Sequence, residues 1–332
     1  MIFREGDFIE TKEGLIFEVK GIIHPKNGAV AFLRYIPCDS GDRSRDGKKY
    51  LKIYPIKQRF EFLRKNYPKY IKYDKVFGRE IQFVEVTDIK AIYRPEDKLS
   101  ELLESNKLTE LEKDAVDLAL MVSREAEVKL RNIGITGSIL LGLSRPDSDI
   151  DLVIYGVENG YKVYEAVKRL RQKLDELKPY DEVRVMKVVE ARWGSIPEEI
   201  RMKMIEIERR KALHGLFREK DYFIRLVPNA EEVGVKYGDF VFRPIKDILV
   251  RGWTLDTRFS IFTPTEYLVE AYDEEERSIH KLVSFRGRFT EQLNEGEKFI
   301  ARGKLELVMS KRGQDYYQLV LGDDEDFLIP VD

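Results

Sequence analysis

Two aspartates, Asp149 and Asp151, stand at the start of the apolar segment DIDLVIYG. In a β-strand, side chains two residues apart project from the same face, so the two carboxylates are expected to point together. Neighbouring carboxylates repel each other and lose hydration, which is unfavourable unless a divalent cation neutralises them. Hard oxygen ligands in this pattern favour Mg²⁺ or Mn²⁺, ions that commonly bridge to substrate phosphates. The pattern therefore predicts that Asp149 and Asp151 are metal ligands.

A Gly-Ser pair begins twelve residues before Asp149 and follows a predicted helix. Gly137 allows the backbone to approach a triphosphate closely, and Ser138 adds a hydroxyl donor. A phosphate-binding turn beside two metal-binding carboxylates suits in-line attack on an α-phosphate, with metals about 4 Å apart holding the attacking and leaving oxygens. We therefore expect a nucleoside triphosphate as substrate.

The segment GSILLGLSRPDSDIDLVI resembles the signature of the DNA polymerase β nucleotidyltransferase superfamily, particularly of its small members. The shared features are a Gly-Ser pair, a second glycine four residues after the serine, and Ser-Asp-x-Asp opening an apolar strand. Here these residues are Gly137, Ser138, Gly142, Ser148, Asp149 and Asp151. The resemblance spans residues 109–192, and the whole chain also resembles a family of archaeal predicted nucleotidyltransferases through GLIFEVKGIIHP and AFLRYIP.

The resemblance implies a core of mixed sheet and flanking helices. It also implies an enzyme that transfers a nucleoside monophosphate from a triphosphate such as ATP to an acceptor hydroxyl, with pyrophosphate leaving. The glycines and serines of the signature would bind the nucleotide, and its aspartates would ligate Mg²⁺ or Mn²⁺.

One departure from the family pattern concerns a third carboxylate. Active members usually carry it on a neighbouring strand, where it ligates metal and can take the proton of the incoming nucleophile. The segment DEVRVMKVVEARW is predicted to be that strand, but its central positions, Val185 to Lys187, hold no acid. Glu182 and Glu190 share one face of a regular strand, and either could serve. Glu190 is the first choice as a catalytic residue.

A second departure concerns positive charge. Many small members have a basic residue just after Gly-Ser, whereas this chain has Ile139, Leu140 and Leu141. Phosphate charge would then be balanced by backbone donors, by the metals and by Arg145.

The elements that position these residues define three regions of an α+β multidomain protein. Residues 1–95 are predicted to be a β-rich module with one added helix that ends before Pro68. Residues 96–220 form the nucleotidyltransferase core with flanking helices, in which Thr109 and Glu112 make a capping box and a charged helix begins at Pro197. Residues 221–332 contain short strands typical of a β-barrel, possibly OB-like.

Two basic segments are candidate nucleic-acid surfaces. The loop between AFLRYIP and KKYLKIY places basic residues near tyrosines, which is also the pattern of a solvated loop; they are Arg34, Arg43, Arg45, Lys48 and Lys49. In the C-terminal region, alternating strand positions put four cations on one face, namely Arg286, Arg288, Arg302 and Lys304. Such a barrel could equally bind a protein or pack on the core. Trp193 and Trp253 are predicted to anchor cores.

Composition limits the remaining possibilities. The 332 residues include 58 Lys and Arg against 60 Asp and Glu, so any nucleic-acid binding must come from a local patch. The 36% of charged residues, with a single cysteine, is typical of heat-adapted proteins.

Cys38 and three scattered histidines argue against a metal site built from cysteine and histidine. No signal peptide and no run of roughly 20 apolar residues is present, which predicts a soluble cytoplasmic protein without a membrane partner.

The acceptor is less constrained by the sequence. Two extra β-rich regions exceed what a free small molecule needs, so RNA, most simply tRNA-like, is the leading acceptor. Nucleotide transfer to a protein side chain or a small molecule is an alternative. A second alternative is a core without its third carboxylate that serves as a binding scaffold for nucleic acid or protein.

Overall fold

The computed structural model describes residues 2–194, 196–311 and 313–331 of a mixed α+β protein. The chain divides into two compact units. The first holds residues 1–74, 79–166 and 217–237, and the second holds residues 75–78, 167–216 and 238–332. Within the described residues, no helix is long and apolar enough to cross a membrane.

The N-terminal region is an antiparallel set of strands around an aliphatic and aromatic core. The strands are β1 (Phe8–Thr11), β2 (Ile16–Val19), β3 (Gly28–Pro37), β4 (Arg43–Arg45), β5 (Lys48–Lys52), β6 (Ile71–Asp74), β7 (Arg79–Glu85) and β8 (Ile89–Tyr93). They pair in the order β4-β5-β3-β2-β1-β8, and β7 joins β3 to β6. The predicted helix is present as α1 (Ile56–Asn66), before a 3-10 turn that starts at Pro68.

The middle of the chain alternates helices with short strands. Its elements are α2 (Pro95–Glu104), α3 (Glu110–Ala126), β9 (Ile133–Ile135), α4 (Gly137–Leu140), β10 (Ile150–Tyr155), α5 (Val157–Lys173), β11 (Leu177–Lys178), α6 (Glu182–Trp193), α7 (Glu198–Arg210), β12 (His214–Phe217), β13 (Lys220–Val227) and α8 (Ala230–Val233). The capping box of Thr109 and Glu112 opens α3 as predicted, and α7 starts directly after Pro197.

The strand that carries the signature aspartates belongs to a five-stranded sheet, of which β9, β10 and β13 lie in the first unit. β9 pairs antiparallel with β10, with Leu152 opposite Ile135. On the other side, β13 runs parallel to β10, with Phe223 opposite Asp151. The sequence interpretation assigned the β13 segment to the C-terminal region, whereas the structure pairs it with the strand that carries the aspartates.

The segment DEVRVMKVVEARW is α6, so its prediction as a strand is wrong. The Asp181 side chain caps this helix by accepting a hydrogen bond from the Arg184 backbone N–H at 2.7 Å. Val185 and Val189, four residues apart, are buried on one helical face while Val183 lies exposed. The alternating valines near the start of the segment suggested a period of two, but the burial follows the helical period.

The C-terminal region is a six-stranded sheet. Its strands are β14 (Phe240–Asp256), β15 (Thr265–Tyr272), β16 (Ser278–Ser284), β17 (Lys298–Ser310), β18 (Tyr316–Leu321) and β19 (Phe327–Val331). The order is β14-β15-β16-β18-β17-β19, and β14 also pairs with β17. Phe289, Phe299 and Leu305 are buried at its centre.

Candidate functional site

The Gly-Ser turn and the second aspartate of the signature are in direct contact. Gly137 has a backbone φ of +67°, a conformation that glycine adopts readily and other residues rarely do. A Cβ atom placed on Gly137 would lie 2.2 Å from Asp151 Oδ2. The Thr136 backbone N–H donates to the Asp151 carbonyl oxygen at 2.9 Å, which fixes the start of the turn on β10. The structure thus brings Gly137 and Asp151 together.

The loop that follows is closed by its own hydrogen bonds. The Leu143 backbone N–H donates to the Ser138 carbonyl oxygen at 2.9 Å, and Gly142 supplies a second positive φ of +63°. The Ser148 hydroxyl oxygen accepts from the Arg145 backbone N–H at 2.9 Å. Ser138 and Ser148 are both buried, so these signature serines help to shape the loop that leads to the aspartates.

The two aspartates differ in their surroundings. Asp149 is exposed and directly precedes β10, whereas Asp151 is half-buried as the second residue of the strand. Burial raises the pKa of the Asp151 carboxyl above its ordinary value, and the positive charges of Arg225 and Lys52 oppose that rise. Carboxylate oxygens are the ligands that a hard divalent cation such as Mg²⁺ or Mn²⁺ prefers. The Asp151 carboxylate is partly desolvated and lies beside the Gly137 turn, so the residues present fit such an ion.

A buried arginine lies on the neighbouring strand. Arg225 of β13 is opposite Val153 and therefore shares the sheet face of Asp151. Its guanidinium donates to Glu5 and, at 2.9 Å, to Glu18 of the N-terminal region. The charges of both carboxylates raise the pKa of Arg225 against the effect of burial. A permanent cation is therefore fixed beside the second aspartate of the signature, and the sequence interpretation missed it.

The third carboxylate is not where the sequence predicted it. Glu190 lies exposed on α6, in the second unit, and Glu182 occupies the first turn of the same helix. Glu190 was chosen because it would share a strand face with Glu182, and this reason does not hold for a helix. Among residues 2–194, 196–311 and 313–331, no three His, Cys, Asp or Glu side chains are grouped closely enough to hold a metal ion.

One acid does lie on the strand beside β10. Asp221, at the start of β13, precedes the pair formed by Tyr222 and Ile150. Continuing that register by one residue places Asp221 next to Asp149, on the same side of the sheet. The signal that could have identified it is the segment KDYFIRLV, which has an acid before a buried strand and was interpreted as part of another region.

Arg145, predicted to bind phosphate, is held by two carboxylates. Its guanidinium donates to Asp42 at 2.7 Å and to Asp147 at 2.8 Å and 3.0 Å. These contacts, first that with Asp147, raise the pKa of Arg145. Arg145 remains partly exposed at the mouth of the loop, so a phosphate would have to compete with both acids for it.

The N-terminal basic loop is largely structural. Arg43 is buried and donates to the Leu143 carbonyl oxygen at 2.7 Å, and Arg45 donates to the Leu141 carbonyl oxygen at 3.1 Å and to Glu10 at 2.6 Å. These two arginines therefore hold the signature loop against the N-terminal strands. The sequence interpretation named them as candidates for a nucleic-acid surface, with a solvated loop as the alternative.

The C-terminal region also lacks the arrangement of cations that the sequence predicted. Arg286 precedes a 3-10 turn that contains Arg288, so neither lies in a strand, and Arg288 is buried. Arg302 pairs with Glu325 at 2.8 Å, and Lys304 pairs with Asp247 at 2.6 Å. The four cations do not form the single face that strand alternation predicted.

The two tryptophans have different environments. Trp193 is half-buried and packs edge-on against Phe289, with ring centroids 5.5 Å apart. Trp253 is 43% exposed on β14, so its prediction as a core anchor is wrong. An exposed tryptophan is available for contact with a partner.

A helix, a short strand, a glycine-serine turn and a second strand that opens with Asp-x-Asp define the nucleotidyltransferase class. A family model described as "Nucleotidyltransferase domain" matches residues 122–213. The chain is also 33% identical to a protein of Methanocaldococcus jannaschii described as uncharacterized, over 97% of this chain and 96% of that protein. The chain therefore belongs to the polymerase β-type nucleotidyltransferase family.

Proposed function

We propose that this protein transfers a nucleoside monophosphate from a nucleoside triphosphate, such as ATP, to an acceptor hydroxyl. The contact between Gly137 and Asp151 carries this proposal, because it places a backbone that can approach phosphates against a carboxylate that can hold a metal. Asp149 and Asp151 are the metal ligands, with Mg²⁺ or Mn²⁺ as the ion.

The reaction forms one bond and breaks another at the α-phosphorus. The acceptor oxygen attacks the phosphorus, the bond to the bridging oxygen breaks, and pyrophosphate leaves. A bound Mg²⁺ or Mn²⁺ would neutralise the phosphate charge and orient the attacking and leaving oxygens. The glycine-serine turn binds the triphosphate, and the acceptor proton passes to a carboxylate beside the site.

Asp221 is the carboxylate we propose for the proton. Its register position next to Asp149 supports this role, because a base must lie within hydrogen-bond reach of the hydroxyl that it deprotonates. Glu190, the earlier choice, was selected by a strand that the structure does not contain.

RNA is the proposed acceptor, and one face of the C-terminal sheet supports it. The pairings of β14 with both β15 and β17 are consistent with an OB-like barrel. We call the outward surface of these strands the Trp253 face; it consists of Leu249, Arg251, Trp253, Glu270, Tyr272, Lys298, Ile300 and Arg302. Trp253 lies between Glu270 and Lys298, and Arg251 lies between Tyr272 and Ile300.

The Trp253 face combines aromatic rings with available charge. Trp253 is 43% exposed and Tyr272 is 51% exposed. Arg251 and Lys298 are also exposed, and neither has an ion-pair partner among the residues that the structure describes. Exposed rings next to unpaired cations suit single-stranded nucleic acid, since bases stack on the rings while phosphates pair with the cations.

Label transfer tests the activity and the acceptor together. An α-labelled nucleotide with Mn²⁺ is expected to label RNA in a cell extract, and Asp149→Asn or Asp151→Asn should abolish labelling. Asp97→Asn, an exposed acid in the first turn of α2, should not reduce it. Label in a protein or metabolite fraction instead would replace RNA as the acceptor.

The Trp253 face has its own test. In Trp193→Phe, Trp253 is the remaining tryptophan, and its fluorescence should be quenched by single-stranded RNA. Tyr272→Ala and Arg251→Met should each weaken RNA binding about tenfold in that background, because a stacking partner or a phosphate cation is lost. Unchanged affinity in both variants would remove this face from the proposal.

A binding scaffold without catalysis is the second candidate. Arg225 lies beside Asp151, and the described residues contain no preformed cluster of three metal-ligating side chains. Binding of Mn²⁺ and nucleotide without any labelled product would favour this candidate.

A further inference from the structure

The core contributes little available positive charge to the triphosphate. The three residues after Ser138 are Ile139, Leu140 and Leu141, and all three are buried. Arg145 is paired with Asp42 and Asp147. A triphosphate bound beside Asp151 carries more negative charge than the proposed metal neutralises, so further cations are expected nearby.

The N-terminal strands are fixed against the signature loop. Leu140, Leu141 and Leu143 pack in one cluster with Tyr35 of β3 and Tyr50 of β5. The hydrogen bonds from Arg43 and Arg45 to the loop carbonyls hold the β4–β5 hairpin in place. The outward face of β3 and β5 is therefore next to the loop that is proposed to bind the nucleotide.

Lys52 lies on that face. It is opposite Tyr35 in the pairing of β3 with β5, and it is two residues from Tyr50, so it shares the side that contacts the loop. The charge of Lys52 acts on Asp151, where it opposes the rise in the pKa of that carboxyl. Because Tyr35 and Tyr50 on this face pack against the signature loop, the Lys52 ammonium lies on the side of β5 that faces the proposed nucleotide site.

The other cations around Asp151 are already paired. Arg34 Nε lies 3.2 Å from Glu18 Oε2, Lys20 Nζ lies 2.8 Å from Glu18 Oε1, and Arg225 contacts Glu18 at 2.9 Å. Lys52, in contrast, has no ion pair with any residue in the described part of the chain. Its Nζ lies over the ring of Tyr54, 4.5 Å from the centroid. An incoming phosphate can thus engage Lys52 without breaking an ion pair.

Tyr54 adds an exposed ring at the same place. Its side chain is 62% exposed, although large aromatic rings are usually at least half-buried. The phenol is within electrostatic range of Arg145 at the mouth of the loop and of Tyr35 on β3. An exposed ring in contact with the Lys52 ammonium is suited to stack on the base of a nucleotide whose phosphate Lys52 binds.

We propose that the N-terminal module completes the nucleotide site, with Lys52 binding a phosphate of the nucleoside triphosphate and Tyr54 stacking on its base. This inference rests on the proposed nucleotidyl transfer and adds a second wall to the site, supplied from outside the nucleotidyltransferase core.

Binding of a non-hydrolysable ATP analogue with Mn²⁺, measured by calorimetry without acceptor, tests the inference. Lys52→Met should weaken binding about tenfold, because a charge-assisted contact with phosphate is lost. Lys52→Arg should recover much of the affinity. Tyr54→Ala should weaken binding about fivefold through lost stacking, whereas Tyr54→Phe should bind like wild type.

Two variants in the same module serve as matched controls. Lys65→Met removes an exposed lysine from the last turn of α1, and Tyr73→Ala removes a ring that is 63% exposed on β6. Both should bind the analogue like wild type. Reduced binding in both controls would assign the effect to general loss of charge or fold.

The outcomes separate this inference from the function on which it rests. If wild type binds the analogue and Asp151→Asn does not, but Lys52→Met and Tyr54→Ala bind like wild type, the second wall is wrong and the core site stands. If Lys52→Met impairs only RNA binding, Lys52 belongs to the acceptor site and the inference is overturned. If wild type does not bind nucleotide, both proposals are overturned.

Discussion

The backbone of Gly137 lies against the carboxylate of Asp151, so close that a methyl group on Gly137 would sit 2.2 Å from Asp151 Oδ2. The two residues are fourteen positions apart in the sequence, yet they meet because β9 pairs antiparallel with β10 and the turn follows β9 directly. Glycine suits this position because the backbone φ is +67° and because any larger residue would have to move the Asp151 carboxylate. It also couples the position of the carboxylate to the conformation of the turn.

Gly137→Ala is expected to abolish nucleotide binding. The new methyl group must displace the Asp151 side chain, and the positive φ adds about 1 kcal/mol of strain. Gly234→Ala is the matched control, because Gly234 has a φ of +65° and nothing within 4 Å of the position a Cβ would take. In thermal unfolding, Gly234→Ala should lose stability from φ strain alone, and Gly137→Ala should lose at least as much. A stabilising effect of Mn²⁺ and nucleotide on the melting temperature should disappear in Gly137→Ala alone.

The two candidates for the third carboxylate can be separated by substitution. Asp221→Asn should lower the rate of label transfer by about 100-fold or more, since a positioned general base contributes 10²–10⁴-fold. Glu190→Gln should leave the rate unchanged, because Glu190 lies exposed on α6. Single-turnover rates of the two variants, at saturating nucleotide, make the comparison. A slow Glu190→Gln enzyme beside a fast Asp221→Asn enzyme would reverse the assignment.

The signature and its secondary structure could be predicted because their signals are local. The apolar stripe and capping box of α3 lie within one helix, and the strand that positions the aspartates begins between them, so that Asp149 directly precedes it and Asp151 is its second residue. The prediction of the α6 segment as a strand was wrong because its valines fit both the strand period and the helix period over a short stretch. The burial of Val185 and Val189 decides for the helix.

The partners of the site could not be predicted, because they come from distant parts of the chain. Arg225 lies 74 positions after Asp151 and shares its sheet face through the pairing of β13 with β10. Lys52 lies 99 positions before Asp151, on a strand of the N-terminal sheet whose tyrosines pack against the signature loop. The roles of Arg43 and Arg45 could not be predicted from the sequence for the same reason. Their types suggest phosphate binding, but their contacts with the Leu143 and Leu141 carbonyls follow from packing that the sequence does not display.

Arg225 is expected to be a major contributor to stability. It pairs with Glu5 and Glu18, whose side chains are almost fully buried, and its removal would leave less positive charge to balance these acids and Asp151. Arg225→Met should lower the free energy of unfolding by about 3 kcal/mol in urea denaturation, the lower end of the range for a broken buried pair, because Lys20 still pairs with both acids.

Arg218→Met is the control for Arg225→Met. Arg218 also contacts two acids, Asp114 and Asp117, but its side chain is 39% exposed. Its loss should change stability by less than about 1 kcal/mol, as expected for a solvated ion pair. Equal effects of the two substitutions would show that the Arg225 network is no more than a surface pair.

His24 is expected to make stability depend on pH. Burial lowers the pKa of its imidazole to about 4, and its Nδ1 accepts a hydrogen bond from the Val30 backbone N–H at 3.2 Å, which requires that nitrogen to be unprotonated. The unfolded chain binds a proton near pH 6.5, whereas the folded chain does not until about pH 4. The contribution of His24 is therefore fully present above pH 6.5 and is lost as the pH falls to 4.

The loss should amount to roughly 2 kcal/mol, less than the full shift implies because the ring is partly exposed. Urea denaturation at several values between pH 4 and pH 7 measures it. His24→Gln should show a shallower fall over this interval than wild type, whatever its absolute stability, since glutamine does not titrate there. His280→Gln, at an exposed position of β16, should keep the wild-type slope. A wild-type slope in His24→Gln would mean that other groups bind the protons and that the imidazole is not held neutral by its surroundings.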